Sequence, residues 1–364
     1  MRVLLLSTDA YGGHGGIALF NRDLAEAFAA RDDCEEVVVV PRVIRTKPRG
    51  IPPKVTFAAD AARGPLHYLR AIAGARHARP DLVICGHVNL LPVACSIARS
   101  PLLMIYGIEA WKRTRNALWD RLIHRCGAIV SISELTRDRM LAWSSYEGTT
   151  HLLPNAIHPE SYGIRTKRAD LVTRYGLEGK RVLLTVGRLA SEERYKGFDE
   201  VLEVLPNLDD DVVYVIAGGG NDRARLEQKS AQLGVAQRVV FTGLFPDEEK
   251  ADLYNLADIY VMPSRGEGFG FVFLEALASG VPVIGSKHDG GREALLGGEL
   301  GLLVDPSNPA EIESAIRELL ARPRREIPPR LEHFSFENFK ARLDGVVRAS
   351  GAPLKGAPEA RTTP

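Results

Sequence analysis

Two glutamates eight positions apart, Glu267 and Glu275, bracket the stretch GFGFVFL, in which glycine and large apolar residues offer no countercharge. A carboxylate on a dry face is costly unless it is hydrogen-bonded. At about 100° per residue Glu275 shares a helix face with Phe271 and Val272, so it is expected to be buried and to lack a partner within the chain. A vicinal diol presents two hydroxyl donors to one carboxylate, and the ribose of a nucleotide is the natural candidate. Glu267 falls just before the same helix, where a negative charge also gains from the helix dipole. Upstream, Arg188 follows the apolar run LLTVG and Lys196 comes eight residues later. A guanidinium fork beside an ammonium point charge suits a diphosphate; the alternative is two solvated surface charges.

Further candidates fall at the ends of other apolar runs. Gly218, Gly219 and Gly220 separate VVYVIA from a helical pattern, which allows close backbone approach and offers helix-start amides to an anion. Thr242, Gly243 and Leu244 close VVFTGL in the same way. Asp209, Asp210 and Asp211 formally contain a D-x-D, but they precede an apolar run and are expected at the wrong edge of a sheet for ligand chemistry, as a solvated turn. Gly13-x-Gly15-x-x-Ala18 fits a dinucleotide fingerprint, which keeps an NAD-linked oxidoreductase in play. Against it, TDAY intervenes before the glycines, and the next run ends in Pro41-Arg42 instead of an acid. His14 and His87 are loop-end histidines, a type more often structural than chemical.

Residues in this arrangement need a scaffold that gathers the carboxyl ends of strands. Short apolar runs such as RVLLLS, EVVVVP and DLVICG alternate with amphipathic stretches, and the set recurs after the polar join at 157–179 with RVLLTVG, VVYVIAG and VPVIG. Continuous apolar runs indicate parallel strands covered on both faces. The expected class is therefore α/β, with two Rossmann-like doubly wound parallel-sheet domains facing across a ligand cleft. The domains are placed at 1–160 and 161–330. A C-terminal helix over 331–350 is a candidate to return to the first domain, and residues 351–364, rich in Gly, Pro and Ala, are expected to form a disordered tail.

Taken together, the E-x7-E spacing of Glu267 and Glu275, the Arg188 and Lys196 pair, the GGG strand end, FTG and the glycine-rich N-terminal loop resemble the retaining glycosyltransferases of family 4, with the GT-B fold, over roughly residues 1–350. The resemblance implies a hexosyltransferase using GDP-mannose or a UDP-hexose as nucleotide-sugar donor and a glycan or lipid-linked sugar as acceptor. Carried over by position, it implies that Glu275 binds the ribose and that Glu267, with the amides of Gly268, Phe269 and Gly270, holds donor-sugar hydroxyls. Arg188 and Lys196 would neutralise the leaving diphosphate, with no metal or other cofactor. Thr242, Gly243 and Leu244 would border the base, Gly218 and Gly219 would line the donor site, and Gly15 and Gly16 would face the phosphates. Where the family often has a histidine, this chain has Tyr106, followed by Gly107 and Glu109, so no catalytic histidine is carried over; Tyr106 and Glu109 remain acceptor-side candidates. A nucleotide-sugar epimerase or a sugar-nucleotide sensor would share part of this pattern.

The formal net charge of +1 conceals an asymmetry, because residues 1–160 carry 20 Lys and Arg against 15 Asp and Glu. Within 41–80, nine basic residues face only Asp60. With Trp111, Leu118 and Trp119 in the basic stretch WKRTRNALWDRLIHR, this half suits peripheral contact with anionic lipid headgroups, or else a solvated basic face. No nucleic-acid partner is expected. Four scattered cysteines without a C-x-x-C pair, and no apolar run approaching a membrane span, suggest a reduced, cytoplasmic protein.

Overall fold

The computed structural model describes residues 1–13, 15–114, 116–321 and 325–350. The chain divides into two compact units, one formed by 1–156 with the segment from Phe336 onward, the other by Ile157–Ser335. Both are parallel α/β sheets with the Rossmann-like plan of the GT-B fold.

The first unit contains β1 (Arg2–Ser7), β2 (Glu36–Pro41), β3 (Val55–Phe57), β4 (Leu82–Cys85), β5 (Leu102–Ile105), β6 (Ala128–Ser131) and β7 (Thr149–Leu152), in the order β3-β2-β1-β4-β5-β6-β7. The second contains β8 (Arg181–Val186), β9 (Val212–Ala217), β10 (Val239–Gly243), β11 (Ile259–Val261), β12 (Val283–Ser286) and β13 (Leu302–Val304), in the order β10-β9-β8-β11-β12-β13. Every strand pair is parallel. Helices cover the sheets, which is why β9 is buried along its whole length and why the strands read as unbroken apolar runs. In the second core, Leu183, Ile216, Ile259 and Ile284 of the strands pack with Val201, Ile312 and Ile316 of the covering helices.

The strand order reverses between β1 and β4 in the first unit and between β8 and β11 in the second. At such a switch point neighbouring strands send their connections in opposite directions, leaving a crevice at their carboxyl ends. The loops after β8 and β11 carry Arg188, Lys196 and Glu267. The fold itself therefore brings the two motifs together across roughly eighty residues of sequence.

The units join at 156/157, not at 160/161. Ile157 is buried, its N–H donates to Phe334 O at 2.8 Å, and it forms a parallel bridge with Ser335. That pairing holds 157–160 and the turn Pro329–Phe334 to the second unit. The last helix, Phe336–Ala349, packs against the helix Gly16–Ala29 of the first unit. Phe339 lies edge-on to Phe20 at 5.5 Å, and Asp344 pairs with Arg31. The expected tail at 351–364 lies outside the described residues, as does His14. No helix among the described residues is long and apolar enough to cross a membrane. The four cysteines are buried free thiols.

Candidate functional site

The loop after β8 is short of room and uses glycine to find it. Gly197 has φ 83°, and a Cβ there would meet Pro263 O at 2.7 Å, so only glycine lets this loop press against the one after β11. The contact continues with the Arg265 N–H donating to Tyr195 O at 2.7 Å and the Tyr195 ring packed on Gly266. Arg188, Lys196 and Glu267 are thereby gathered at the ends of β8 and β11.

The two cations are not free. Glu193, in the 3-10 segment Ser191–Lys196, is buried and pairs with both: Arg188 bonds one carboxylate oxygen, and Lys196 Nζ lies 3.0 Å from the other. The alternative of two solvated surface charges does not describe them, because Glu193 engages both. Sequence reasoning passed over Glu193, although an acid between the two cations in RLASEERYK was the available signal.

The Glu267 carboxyl is pushed up by burial, and Lys196 pulls it back down. Its backbone is pinned by Asp289, a second residue the sequence reading missed. Asp289 accepts from the Glu267 N–H at 3.0 Å and the Ser264 hydroxyl at 2.5 Å, and its other oxygen accepts from the Gly291 N–H at 3.0 Å. Burial raises this carboxyl to about 6. Its signal was an Asp before two glycines at the end of β12, since a Cβ on Gly290 would meet Gly268 O at 2.1 Å. Between these anchors, Gly270 at φ 91° caps the helix Phe271–Ala278 with no side-chain acceptor, so its first amides have no intrahelical partner. The Phe269 ring is buried edge-on against Phe334, so that side chain is not a ligand contact.

Glu275 is fully buried, at 0% exposure, but it has partners. Oε1 accepts from the Tyr162 hydroxyl at 2.8 Å and pairs with Lys250, and Oε2 accepts from the Tyr254 hydroxyl at 2.6 Å. The expectation of an unsatisfied carboxylate is overturned. The partners lie 21, 25 and 113 residues away in sequence, beyond the reach of any local pattern.

Two of the three glycines of GGG serve the chain itself. A Cβ on Gly218 would meet Gly187 O at 2.0 Å, and one on Gly220 would meet Leu189 O at 2.1 Å. The close approach expected for a ligand is taken there by the backbone of the loop after β8; Gly219 faces the Leu244 side chain instead. Leu244 is 89% exposed at the end of β10, beside Gly243 at φ 70°, and the Thr242 hydroxyl donates to Gly243 O at 2.8 Å. Asp209 and Asp211 pair with Arg181 at the amino edge of the sheet. Among the described residues no group of three or more His, Cys, Asp or Glu is placed to hold a metal ion.

In the first unit, Gly15 at φ 92° caps the helix Gly16–Ala29 without a side-chain bond, and both glycines have open space around them. Eight residues separate β1 from that helix, so the glycines do not follow the strand directly as a dinucleotide fingerprint requires. The Tyr106 side chain is buried and its hydroxyl donates to Asn21 Oδ1 at 2.8 Å. An acceptor contact by that side chain is corrected on this ground. Glu109 accepts from the Tyr106 and Gly107 N–H groups at 2.6 and 3.1 Å, and burial raises its carboxyl. It lines an open cavity of about 550 Å³ with Asn89, Lys112, Arg113, Asn116 and Trp119, at the carboxyl ends of β4 and β5.

The two switch-point sheets define the chain as a two-domain GT-B protein. Solved structures agree over nearly its whole length: sucrose-phosphate synthase from Thermosynechococcus elongatus superposes with a TM-score of 0.73 at 21% identity, covering 95% of this chain and 98% of that one. Anabaena HepE in complex with UDP and glucose gives 0.73 at 19%, covering 96% and 99%. Residues 169–334 match the family described as glycosyl transferases group 1. In sequence, the chain is 32% identical over 254 residues to the GDP-mannose-dependent alpha-(1-6)-phosphatidylinositol monomannoside mannosyltransferase of Mycolicibacterium smegmatis, covering 66% of this chain and 65% of the relative. It is 28% identical over 210 residues to the alpha-D-kanosaminyltransferase of Streptomyces kanamyceticus, covering 55% and 53%. The chain thus spans between half and two thirds of the length of these curated relatives.

Proposed function

We propose that the protein transfers a hexosyl group from a nucleoside-diphosphate sugar, GDP-mannose or a UDP-hexose, to a glycan or lipid-linked acceptor with retention of configuration. One observation carries the reading: Arg188, Lys196 and Glu267 meet at the strand ends on either side of the second unit's switch point. Breaking the bond between C1 and the diphosphate oxygen sends both electrons onto that oxygen, while the acceptor oxygen bonds C1 and gives up its proton to the departing diphosphate. Fixed cations beside the departing phosphate lower that barrier. Glu267 and the Gly268 to Gly270 backbone hold sugar hydroxyls, and Asp289 keeps that loop in place.

Thr242 to Leu244 border the base, with the exposed Leu244 as a flat apolar contact. Glu275 takes the ribose diol only after Lys250 or Tyr162 turns aside. Retention is proposed on the family resemblance and the donor on the named relatives, one of which uses GDP-mannose and another of which was solved with UDP. In the first unit, the cavity beside Glu109 is proposed for the acceptor. The helix Pro65–His77, with Leu66 and Leu69 exposed at 71% and 60% among Arg63, Arg70 and Arg76, is proposed to rest on an anionic membrane face.

Screening UDP, GDP and ADP by thermal shift identifies the base. NMR of the product from the matching sugar nucleotide and a lipid-linked glycan then reads both transfer and anomeric configuration. Turnover that survives in both Lys196→Ala and Glu267→Ala would overturn the site; isomerised donor without acceptor would replace transfer with epimerisation.

A further inference from the structure

Among the charged groups at the ends of β8 and β11, Glu193 has no part in the proposed transfer, yet it holds both of the cations that transfer needs. Arg188 is 72% exposed along its side chain, but its guanidinium is engaged by a carboxylate that is only 10% exposed. Lys196, 15% exposed, sits on the other oxygen of that carboxylate. Glu193 reaches this position from a kink in the segment Ser191–Lys196, where its φ of −114° and ψ of 28° leave the helical range.

The surrounding charge is already in excess. Glu193 adds to the field that raises Glu267, while Lys196 and Arg188 oppose it. Asp289 and Glu267 repel one another across the same loop. Glu193 and Glu267 therefore share the same two cations, with Asp289 adding a further carboxyl group beside Glu267. A diphosphate brings further negative charge to a spot where a buried carboxylate already makes the bonds a phosphate oxygen would make. Like charges at this spacing in a partly dry site repel, so the diphosphate and Glu193 compete for the same cations.

We infer that Glu193 is an internal stand-in for the diphosphate: it pairs Arg188 with Lys196 while the site is empty and is displaced when the diphosphate binds. This rests on the proposed donor site. Its consequence is a residue that sets affinity without touching the reacting atoms. By competing for the cations, Glu193 weakens retention of the nucleoside diphosphate product and favours its release. A residue that merely shaped the cation pair would act in the opposite direction, since its loss would weaken binding.

The sign of the effect is the test. Isothermal titration of UDP, GDP and inorganic pyrophosphate into the full chain compares the wild type with Glu193→Gln and Glu193→Asp. Glu193→Gln is expected to bind pyrophosphate and the matching nucleoside diphosphate at least tenfold more tightly, with the free nucleoside unchanged. Glu193→Asp keeps the charge but shortens the reach, and is expected to gain less in the same direction. In turnover, kcat and KM should fall together in Glu193→Gln as product release slows. Nucleotide binding by the wild type with equal or weaker binding by both variants would overturn the stand-in and leave the donor site untouched. Absence of both nucleotide and pyrophosphate binding in all three proteins would instead overturn the functional reading on which it rests. Should Glu193→Gln fail to fold, the Glu193→Asp comparison decides by the same sign.

Discussion

Lys250 and Tyr254, four residues apart on one short helix, converge on opposite oxygens of the buried Glu275 carboxylate. Residues at this spacing share a helix face, so a single turn delivers a cation and a phenol to one anion. Removing one member of a buried pair leaves an uncompensated charge, and partial exposure of Lys250 screens the loss. Lys250→Met is expected to cost about 1–3 kcal/mol in urea unfolding, within the range for a broken, partly screened pair. Adding Glu275→Gln should cost less than the two single losses summed, because both delete the same interaction. Additivity within experimental error would refute the pair as a stabilising contact.

Asp289 should give the folding equilibrium an inverted acid response. Its carboxyl is raised from the usual 3.8 to about 6 in the folded protein, so the folded state holds the proton more tightly than the unfolded chain does. The stability this contributes is fully present below about pH 3.8 and is lost as pH rises through about 6. Relative to Asp289→Asn, which cannot titrate, the wild type should therefore lose about 2–3 kcal/mol between pH 4 and pH 7. Chemical denaturation at half-unit pH steps measures the difference, and a flat difference would count against a buried, proton-holding Asp289.

Lys196→Ala should lower kcat about 10²–10³-fold, the usual loss when one preorganised charge at a developing anion is removed. Glu267→Gln should lower turnover as well, with the far-ultraviolet circular dichroism of both variants unchanged. A loss confined to KM would reassign Lys196 to ground-state binding.

Much of this arrangement was legible beforehand, for a physical reason that also marks where legibility ended. Parallel strands covered on both faces print themselves as continuous apolar runs, so β8, β9 and the strand ends bearing Arg188 and Glu267 could be read directly. The burial of Glu275 followed from its helical phase. Its partners did not, because Lys250 and Tyr162 reach it through the fold and carry no spacing signal. Asp289 was missed for a related reason, because it acts on backbone supplied by another loop; Glu193 lies in the same loop as its two cations, so its signal was local and went unread. The glycines of GGG were noticed correctly as points of close approach, but composition says nothing of whether a ligand or the chain itself approaches.

Gly218→Ala should be among the most damaging single-methyl changes available. The new Cβ would sit 2.0 Å from Gly187 O, at φ 142°, and strain of this kind costs about 3 kcal/mol or more when clash and backbone combine. Gly234→Ala, at φ 70° with nothing within 4 Å, should cost only about 1–2 kcal/mol. Comparing thermal unfolding of the two separates crowding from backbone preference; equal costs would contradict the packing described for Gly218.

Replacing Leu66 and Leu69 with Gln should reduce flotation with phosphatidylglycerol vesicles more than tenfold, since each leucine contributes about 1.5–3 kcal/mol when buried in an apolar phase. Binding to neutral vesicles should be weak throughout. Equal partition of the wild type onto neutral and anionic vesicles would dispose of the docking face.

The bridge between Ile157 and Ser335 makes the second unit a guest within the first. Its two ends emerge side by side, the arrangement in which one fold is grafted into another without stretching the host. Excising 157–335 and closing the gap with a few glycines should leave a host that still recruits Phe339 to Phe20. Deleting the last fifteen described residues should instead strip that host of its closing helix and leave the guest intact.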